Sequence, residues 1–328
     1  MSFFRDNVLK KNKIAFFSEA GFEGKTDRNF DNMRTEYSWY VMLDATHHPI
    51  LKMGEIEDDT YDLGIIIVPK ELDSYYGFNI IEELKRICKK TAFMQEGPSW
   101  YFQSLEVWQQ VWFYNIMQSV DFVLCHNDID KEYYEGLLKK PTYINPTLLI
   151  TDSLDETKMD KKEDKVIIGG NLVRWYGGFN SYMTALHYDL PIWAPSMGRK
   201  KSGEEGVGGI NHLPYMNWTE WMYKLSEFKY AVHLNPNTIG GTFSLNCGYL
   251  GIPCIGNIHQ NTQRLCFPDL SIEPHDLNQA KELVSKLKDK SFYRDISEQA
   301  KENYNNNFSK NSYIKHMKQV MGEIIDVN

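Results

Sequence analysis

Hydrophobic positions along this chain fall into short unbroken runs, separated by longer stretches with helical spacing. The runs are Lys13–Ser18 (KIAFFS), Leu63–Val68 (LGIIIV), Thr91–Met94, Asp121–Cys125 (DFVLC), Val166–Ile168, Leu190–Ala194, the segment from Tyr230 and Cys254–Gly256. A continuous apolar run is what a strand covered on both faces requires. His48–Lys52 reads as a further short strand. Between the runs, helices are expected over about Asn29–Leu43, Phe78–Lys90, after Asn171 to about His187, Trp218–Phe228, Glu282–Lys288, Tyr293–Tyr304 and Lys310–Ile325. The segment Asn303–Phe308 (NYNNNF) reads as a turn that ends a helix. Strands alternating with helices predict parallel sheets with helices on both faces, an α/β architecture.

The run Thr151–Lys165 (TDSLDETKMDKKEDK) is highly charged and lacks apolar periodicity, which marks it as a linker. A chain of 328 residues is long enough for two domains, expected here at about 1–150 and 160–309 with a cleft between them. Ligands of such sheets bind outside the carboxyl ends of the strands. The loops at 18–25, 95–100, 126–130, 169–174 and 237–242 are therefore expected at that edge. Pro195–Gly209, rich in glycine and lysine, reads as a mobile loop.

Net charge is −8, so bulk charge does not describe a basic nucleic-acid protein, although a local basic groove is compatible with an acidic body. The five cysteines (Cys88, Cys125, Cys247, Cys254 and Cys266) have no CxxC or zinc-like spacing and read as reduced, mostly buried thiols. The N-terminal stretch MSFFRDNVLKKNK has no long apolar segment or cleavage-site pattern, and no run reaches the roughly 20 apolar residues that span a bilayer. A cytoplasmic protein is expected.

The segment Tyr230–Gly256 (YAVHLNPNTIGGTFSLNCGYLGIPCIG) carries the most chemistry. Strand, glycine turn, helix and strand in that order make a βαβ unit. The turn at Gly240–Gly241 would set bare N–H groups at a helix N-terminus, where a diphosphate can sit. An ordinary βαβ turn has the same outline. Gly169-Gly170-Asn171 follows the first strand of the second half, and Arg174, one helical turn on, reads either as a phosphate ligand or as a solvated helix-start residue. Arg199-Lys200-Lys201 reads as a solvated charge run or a phosphate site, as does Arg264. Glu96, after the strand Thr91–Met94, is placed to act as a general base toward an acceptor hydroxyl, or is a loop glutamate in water. Asp128 and Glu19 are the next candidates for that role. Trp100 and Tyr101 can stack on a sugar or a base, and Glu19 and Phe22 are assigned with them to the acceptor side. Trp108 and Trp112 are four apart and share a helical face, the pattern of core packing. Asp128-Ile129-Asp130 has the spacing of a metal-binding DxD but reads more simply as a helix start. No metal is implied.

In this order the motifs resemble those of GT-B glycosyltransferases, two Rossmann-like doubly wound domains facing across a cleft. Gly241 and Thr242 match the donor-diphosphate turn of that family; Leu245 and Gly251-Ile252-Pro253 match its helix and exit. Where the family carries two glutamates this chain has Thr238 and Asn246, and where it carries an Arg and a Lys it has Asn171 and Tyr176. Among these enzymes the chain is most similar to the DNA-base glucosyltransferases of T-even phages, in Tyr61-Asp62, Glu96, Gly169-Gly170, Thr242–Ile255 and Arg264. The resemblance implies a nucleoside-diphosphate sugar, UDP-linked, as co-substrate. It places Gly170, Asn171, Arg174, Arg199, Gly241, Thr242, Asn246 and Arg264 at the donor, with Glu96 as base. It implies a hydroxymethylated pyrimidine in duplex DNA as acceptor, and a final helix, 310–328, packing back on the first domain. A cell-envelope or protein glycosyltransferase of the same fold, or a non-catalytic nucleotide-sugar or nucleic-acid binding module, are the other readings.

Overall fold

The computed structural model describes residues 13–19, 24–25, 35–69, 75–95, 97–159, 162–170, 172, 176–195, 204–239 and 241–325. Of these, residues up to 147 and those from 313 onward form one compact unit, and 148–312 form another.

The first unit contains β1 (Ile14–Ser18), β2 (Gly24–Lys25), α1 (Thr35–Met42), β3 (Thr46–Pro49), β4 (Tyr61–Ile67), α2 (Ile80–Ile87), β5 (Cys88–Met94), α3 (Val107–Ser119), β6 (Phe122–Cys125), α4 (Asp128–Leu138) and β7 (Thr142–Ile144). The strand order is β2-β3-β1-β4-β5-β6-β7. Every pairing is parallel except that of β2 with β3. The central β4 is apolar on both faces and is buried at Leu63, Ile65, Ile66 and Ile67. Helix α2 presents Ile80, Leu84 and Ile87 to the core, at spacings of four and three, and its N-terminus is capped by Asn79. The helix stops at Ile87, short of the expected Lys90. Cys88 is already extended (φ −130°) and opposite Tyr61 in the sheet, so pairing with β4 overrides the helical spacing of 88–90. The expected strand at 48–52 lies earlier, at Thr46–Pro49, and a 3₁₀ turn occupies Ile50–Glu55. Helix α3 buries Phe113, Ile116 and Met117, whereas Trp108 is 57% exposed. The tryptophan stripe is thus only partly core: Trp112 packs on Tyr76, and Trp108 meets the same ring from the exposed side.

The second unit contains β8 (Glu163–Ile168), α5 (Gly178–Ala185), β9 (Ile192–Ala194), β10 (Ile210–His212), α6 (Trp218–Ser226), β11 (Phe228–His233), α7 (Phe243–Leu250), β12 (Cys254–Asn257), α8 (Asn261–Cys266), β13 (Ser271–Ile272), α9 (Leu277–Leu287) and α10 (Lys290–Phe308). Its strands run β10-β9-β8-β11-β12-β13, all parallel. In chain order that is 3-2-1-4-5-6, the doubly wound arrangement of dinucleotide-binding sheets. Strand β8 starts inside the charged stretch expected to be a linker. Lys165 makes this workable: it is buried, and its ammonium pairs with Glu227 and with Glu163 at 3.1 Å. Helix α10 likewise runs through the asparagines expected to end it. Asn303 Nδ2 donates to the Cys266 carbonyl, Asn307 Nδ2 to the Asn303 carbonyl, and Phe308 is buried. All five cysteines are buried free thiols.

The last helix, α11 (Lys310–Ile324), belongs to the first unit from Tyr313 onward. The Tyr313 hydroxyl donates to Asn145 Oδ1 at 2.8 Å, and His316 Nε2 donates to the Ile144 carbonyl at 2.8 Å. No described helix is long and apolar enough to cross a membrane.

Candidate functional site

In the second sheet the winding reverses between β8 and β11, so the loops leaving these two strands diverge and leave a crevice at their carboxyl ends. Gly169 N–H donates to the Val232 carbonyl at 2.8 Å and closes the pairing. Beyond it the backbone is crowded. A Cβ on Gly169 would lie 2.5 Å from the His233 ring and 2.9 Å from Phe243. Gly170 has φ +78° and a Cβ there would lie 2.8 Å from Tyr176. Gly177, the N-cap of α5, is left-handed (φ +62°), and a side chain on it would run into the Leu234 carbonyl. Ser181 fastens the two loops together: its Oγ accepts from Leu234 N–H at 2.9 Å and donates to the Gly177 carbonyl at 2.9 Å.

The loop after β11 is braced from the next strand. Asn257 Nδ2 donates to the Asn235 carbonyl (2.8 Å) and the Asn237 carbonyl (3.3 Å), and Gln260 Nε2 donates to the Asn235 carbonyl. This leads into α7, whose N-cap is Thr242 and whose preceding residue, Gly241, is exposed with open space around its Cα. The helix leaves through Gly251 in the left-handed conformation (φ +60°), with Ile252 N–H on the Cys247 carbonyl at 2.9 Å. Ser244 Oγ in the first turn and Thr238 Oγ1 just before it are buried and have no hydrogen-bond partner among the described residues. His233, at the end of β11, packs its ring 5.0 Å from Phe243, and burial pulls its pKa down to about 4. At neutral pH it is uncharged.

The sequence candidates of this unit do not all reach that edge. Gly170, Gly241 and Thr242 are there. Asn246 is buried and turned inward: its amide nitrogen donates to the Thr242 carbonyl (3.2 Å) and its oxygen accepts from Trp221 Nε1 (3.0 Å). It satisfies its own helix and a neighbouring indole. Arg264, in the last turn of α8, donates to Asn261 Oδ1 at 3.2 Å. Asn171, Arg174 and Arg199 lie outside the described residues. Sequence reasoning passed over Glu204, which is buried and accepts from Leu172 N–H at 3.0 Å, so that a carboxylate holds the glycine loop after β8. It passed over Ser181, Ser244 and Asn257 as well. Only the strand-end position of Asn257 hinted at a role.

In the first sheet the winding reverses between β1 and β4. Ser18 ends β1 there, with its Oγ 2.8 Å from His47 Nε2 and 3.3 Å from the Tyr40 hydroxyl; Glu19 follows, half-buried. One strand further out, β5 and β6 end side by side. His126 Nε2 donates to the Gln95 carbonyl at 2.8 Å, which leaves Nδ1 as the lone-pair nitrogen. Burial lowers this histidine to about 4, and the Trp39 ring lies 5.0 Å away. Asn127 caps α4 through Asp130 N–H at 2.8 Å and donates from Nδ2 to Asp130 Oδ2 at 3.1 Å. Asp130 is buried; desolvation raises its carboxyl to about 6, against the pull of Ser99 and Asn127. Asp128, by contrast, is exposed on the first turn of α4. Trp100 is 41% exposed and Tyr101 half-buried, both directly after the loop that leaves β5. Glu96 and Phe22 lie outside the described residues. Among the described residues no group of three His, Cys, Asp or Glu side chains is arranged to hold a metal ion.

No protein-family profile matches the chain, and no curated protein matches it in sequence. Solved structures share its fold. The sucrose-phosphate synthase (tll1590) from Thermosynechococcus elongatus aligns over 97% of this chain and 100% of its own, with a TM-score of 0.65 and 13% identity. Anabaena Alr3699/HepE, solved with UDP and glucose, aligns over 95% of this chain and 100% of its own, with a TM-score of 0.65 and 9% identity. The pneumococcal O-GlcNAc transferase GtfA, solved with UDP and GlcNAc, covers 84% of this chain and 59% of its own, with a TM-score of 0.59 and 12% identity. These neighbours are GT-B glycosyltransferases, and the chain has the GT-B fold, an α/β architecture of two Rossmann-like domains.

Proposed function

We propose that the protein is a glycosyltransferase that moves a sugar from a nucleoside diphosphate, UDP-linked, to a hydroxyl acceptor. The observation that carries this reading is the crowded glycine edge at the β8/β11 switch point, where only glycine fits at 170 and 177 and α7 begins at an open Gly241–Thr242 turn. Backbone N–H groups at such a turn suit a diphosphate. The buried, unpartnered hydroxyls of Thr238 and Ser244 add donors beside it. Gly170, Asn171, Arg174, Arg199 and Arg264 serve the donor phosphates in this reading. Asn246 supports the helix from inside rather than the ribose. Residues 1–150 with helix 310–328 form the acceptor side and 160–309 the donor side.

Glu96, on the loop leaving β5, acts as base, with Glu19, Phe22, Trp100 and Tyr101 around the acceptor. Deprotonating the acceptor hydroxyl as the diphosphate departs is the step such a carboxylate accelerates, by about 10²–10⁴-fold. The acceptor is a hydroxymethylated pyrimidine in DNA, extruded from the duplex, and the enzyme works in the cytoplasm of a phage-infected host. Exposed Trp100 and half-buried Tyr101 support a stacked base. The inward-turned Asn246 favours a second reading, a nucleotide-sugar binding module without turnover. Glu96→Gln separates the two. In the enzyme it removes most sugar transfer to a hydroxymethylated duplex and leaves UDP binding intact. Absence of transfer by the unmodified protein to hydroxymethylated DNA refutes the proposed acceptor.

A further inference from the structure

The loop that leaves β5 is held at both ends by one short segment, the turn His126–Asp130 between β6 and α4. On the near side, His126 Nε2 donates to the Gln95 carbonyl at 2.8 Å, and both residues are buried. On the far side, the hydroxyl and N–H of Ser99 lie against the carboxylate of Asp130 and stabilise its charged form. Ser99 and Asp130 are both buried. The turn is itself rigid. Asn127 joins Asp130 through its N–H and through its carboxylate, and the His126 ring is backed by Trp39, whose Nε1 donates to the Pro146 carbonyl at 3.0 Å. Between the two ends, Gly97 is left-handed (φ +92°) and Tyr101 N–H returns to the Pro98 carbonyl at 2.9 Å. A buried carboxylate is costly unless something uses its acceptors. Among the described residues this carboxylate meets Asn127 Nδ2 of its own turn and Ser99, so it ties the turn to the loop leaving β5.

We propose that Asp130 and His126 are positioning residues that clamp Ser99 and Gln95, the described residues at the two ends of the loop leaving β5. This rests on the reading of that loop as the acceptor side of a glycosyltransferase. Asp130 acts through Ser99, and His126 through the Gln95 carbonyl; neither is assigned contact with a substrate. The pair DxD spacing of Asp128 and Asp130 is thereby divided: Asp128 is a solvent-facing helix-start carboxylate, and Asp130 is the clamp.

The test uses the full-length protein and two readouts. Hydrogen exchange of the peptide spanning 95–101 is compared in the unmodified protein, Asp130→Ala, Asp130→Asn, Ser99→Ala and His126→Phe. The clamp predicts that Asp130→Ala and His126→Phe each speed exchange in this peptide by about tenfold, the size of one lost buried hydrogen bond, with the β11–α7 peptides unchanged. Asp130→Asn keeps an acceptor oxygen for Ser99 and restores most of the protection. Ser99→Ala, the mildest change, gives a smaller increase and guards against a variant that fails to fold. In sugar transfer to hydroxymethylated duplex, Asp130→Ala, Ser99→Ala and His126→Phe lower kcat and leave the KM for the nucleotide-sugar unchanged, while Asp130→Asn retains most of the kcat. Unchanged exchange in Asp130→Ala and Ser99→Ala overturns the clamp, as does faster exchange with wild-type kcat. If the unmodified protein transfers no sugar, the functional reading fails, while the exchange data still decide whether the turn holds the loop.

Discussion

Replacing His233 by glutamine isolates the contribution of one buried neutral imidazole to the acid stability of the second unit. The ring is 2% exposed at the end of β11 and its pKa falls from 6.5 to about 4, because burial penalises the charged form. The folded state therefore binds the proton less readily than the unfolded chain. Stability from this group is fully present above pH 6.5 and is lost as pH falls toward 4. Between pH 7 and pH 5 the unfolded chain protonates this site almost completely and the folded protein scarcely at all. The difference withdraws about 2 kcal/mol from folding. Glutamine has no proton to take up over that range. Urea unfolding followed by tryptophan fluorescence at pH 7 and pH 5 measures the effect as the difference in pH dependence between the unmodified protein and His233→Gln. The expected result is that the unmodified protein loses about 2 kcal/mol more than the variant on acidification. Parallel losses in the two proteins would falsify the assignment of a buried, uncharged His233.

Gly177→Ala places a methyl group at a left-handed position against the Leu234 carbonyl; thermal unfolding should show a loss of about 3 kcal/mol or more, from the backbone conformation and a displaced β11 loop together, and a loss near zero refutes the close packing there. Lys165→Ala leaves Glu227 with Lys224 as its remaining ion-pair partner among the described residues and removes an ammonium lying 4.7 Å from the centre of the Phe228 ring; the expected cost is about 2–3 kcal/mol in urea unfolding, with Lys165→Met recovering part of it through packing.

The sequence was informative where burial is two-sided. Leu63–Val68 and Asp121–Cys125 read as strands because a parallel sheet covered by helices permits nothing polar on either face, and the glycines at 169, 170 and 251 were legible as strand-end and helix-end positions because crowded or left-handed backbone leaves little alternative. Strands of two or three residues, such as Thr142–Ile144, Ile210–His212 and Ser271–Ile272, were not legible: they pair at sheet edges and carry too few residues for a period. The start of β8 was hidden because three charged residues, Glu163 to Lys165, enter the sheet by pairing with one another and with residues some 60 positions away. The same holds at the candidate site. Gly170, Gly241 and Thr242 follow from local pattern, whereas the inward turn of Asn246 depends on Trp221, and the roles of Ser181, Glu204 and Asp130 depend on partners about 30 to 50 residues distant. Tertiary hydrogen bonds of that kind leave no periodic trace in the chain.

Nucleotide recognition by the glycine edge of the second sheet is read directly by hydrogen-exchange mapping of the protein with and without saturating UDP. The expected outcome is slower exchange confined to the segments 169–178 and 234–246, where the two loops leave β8 and β11. Tight UDP binding with protection elsewhere, or no binding of any nucleoside diphosphate, would contradict it.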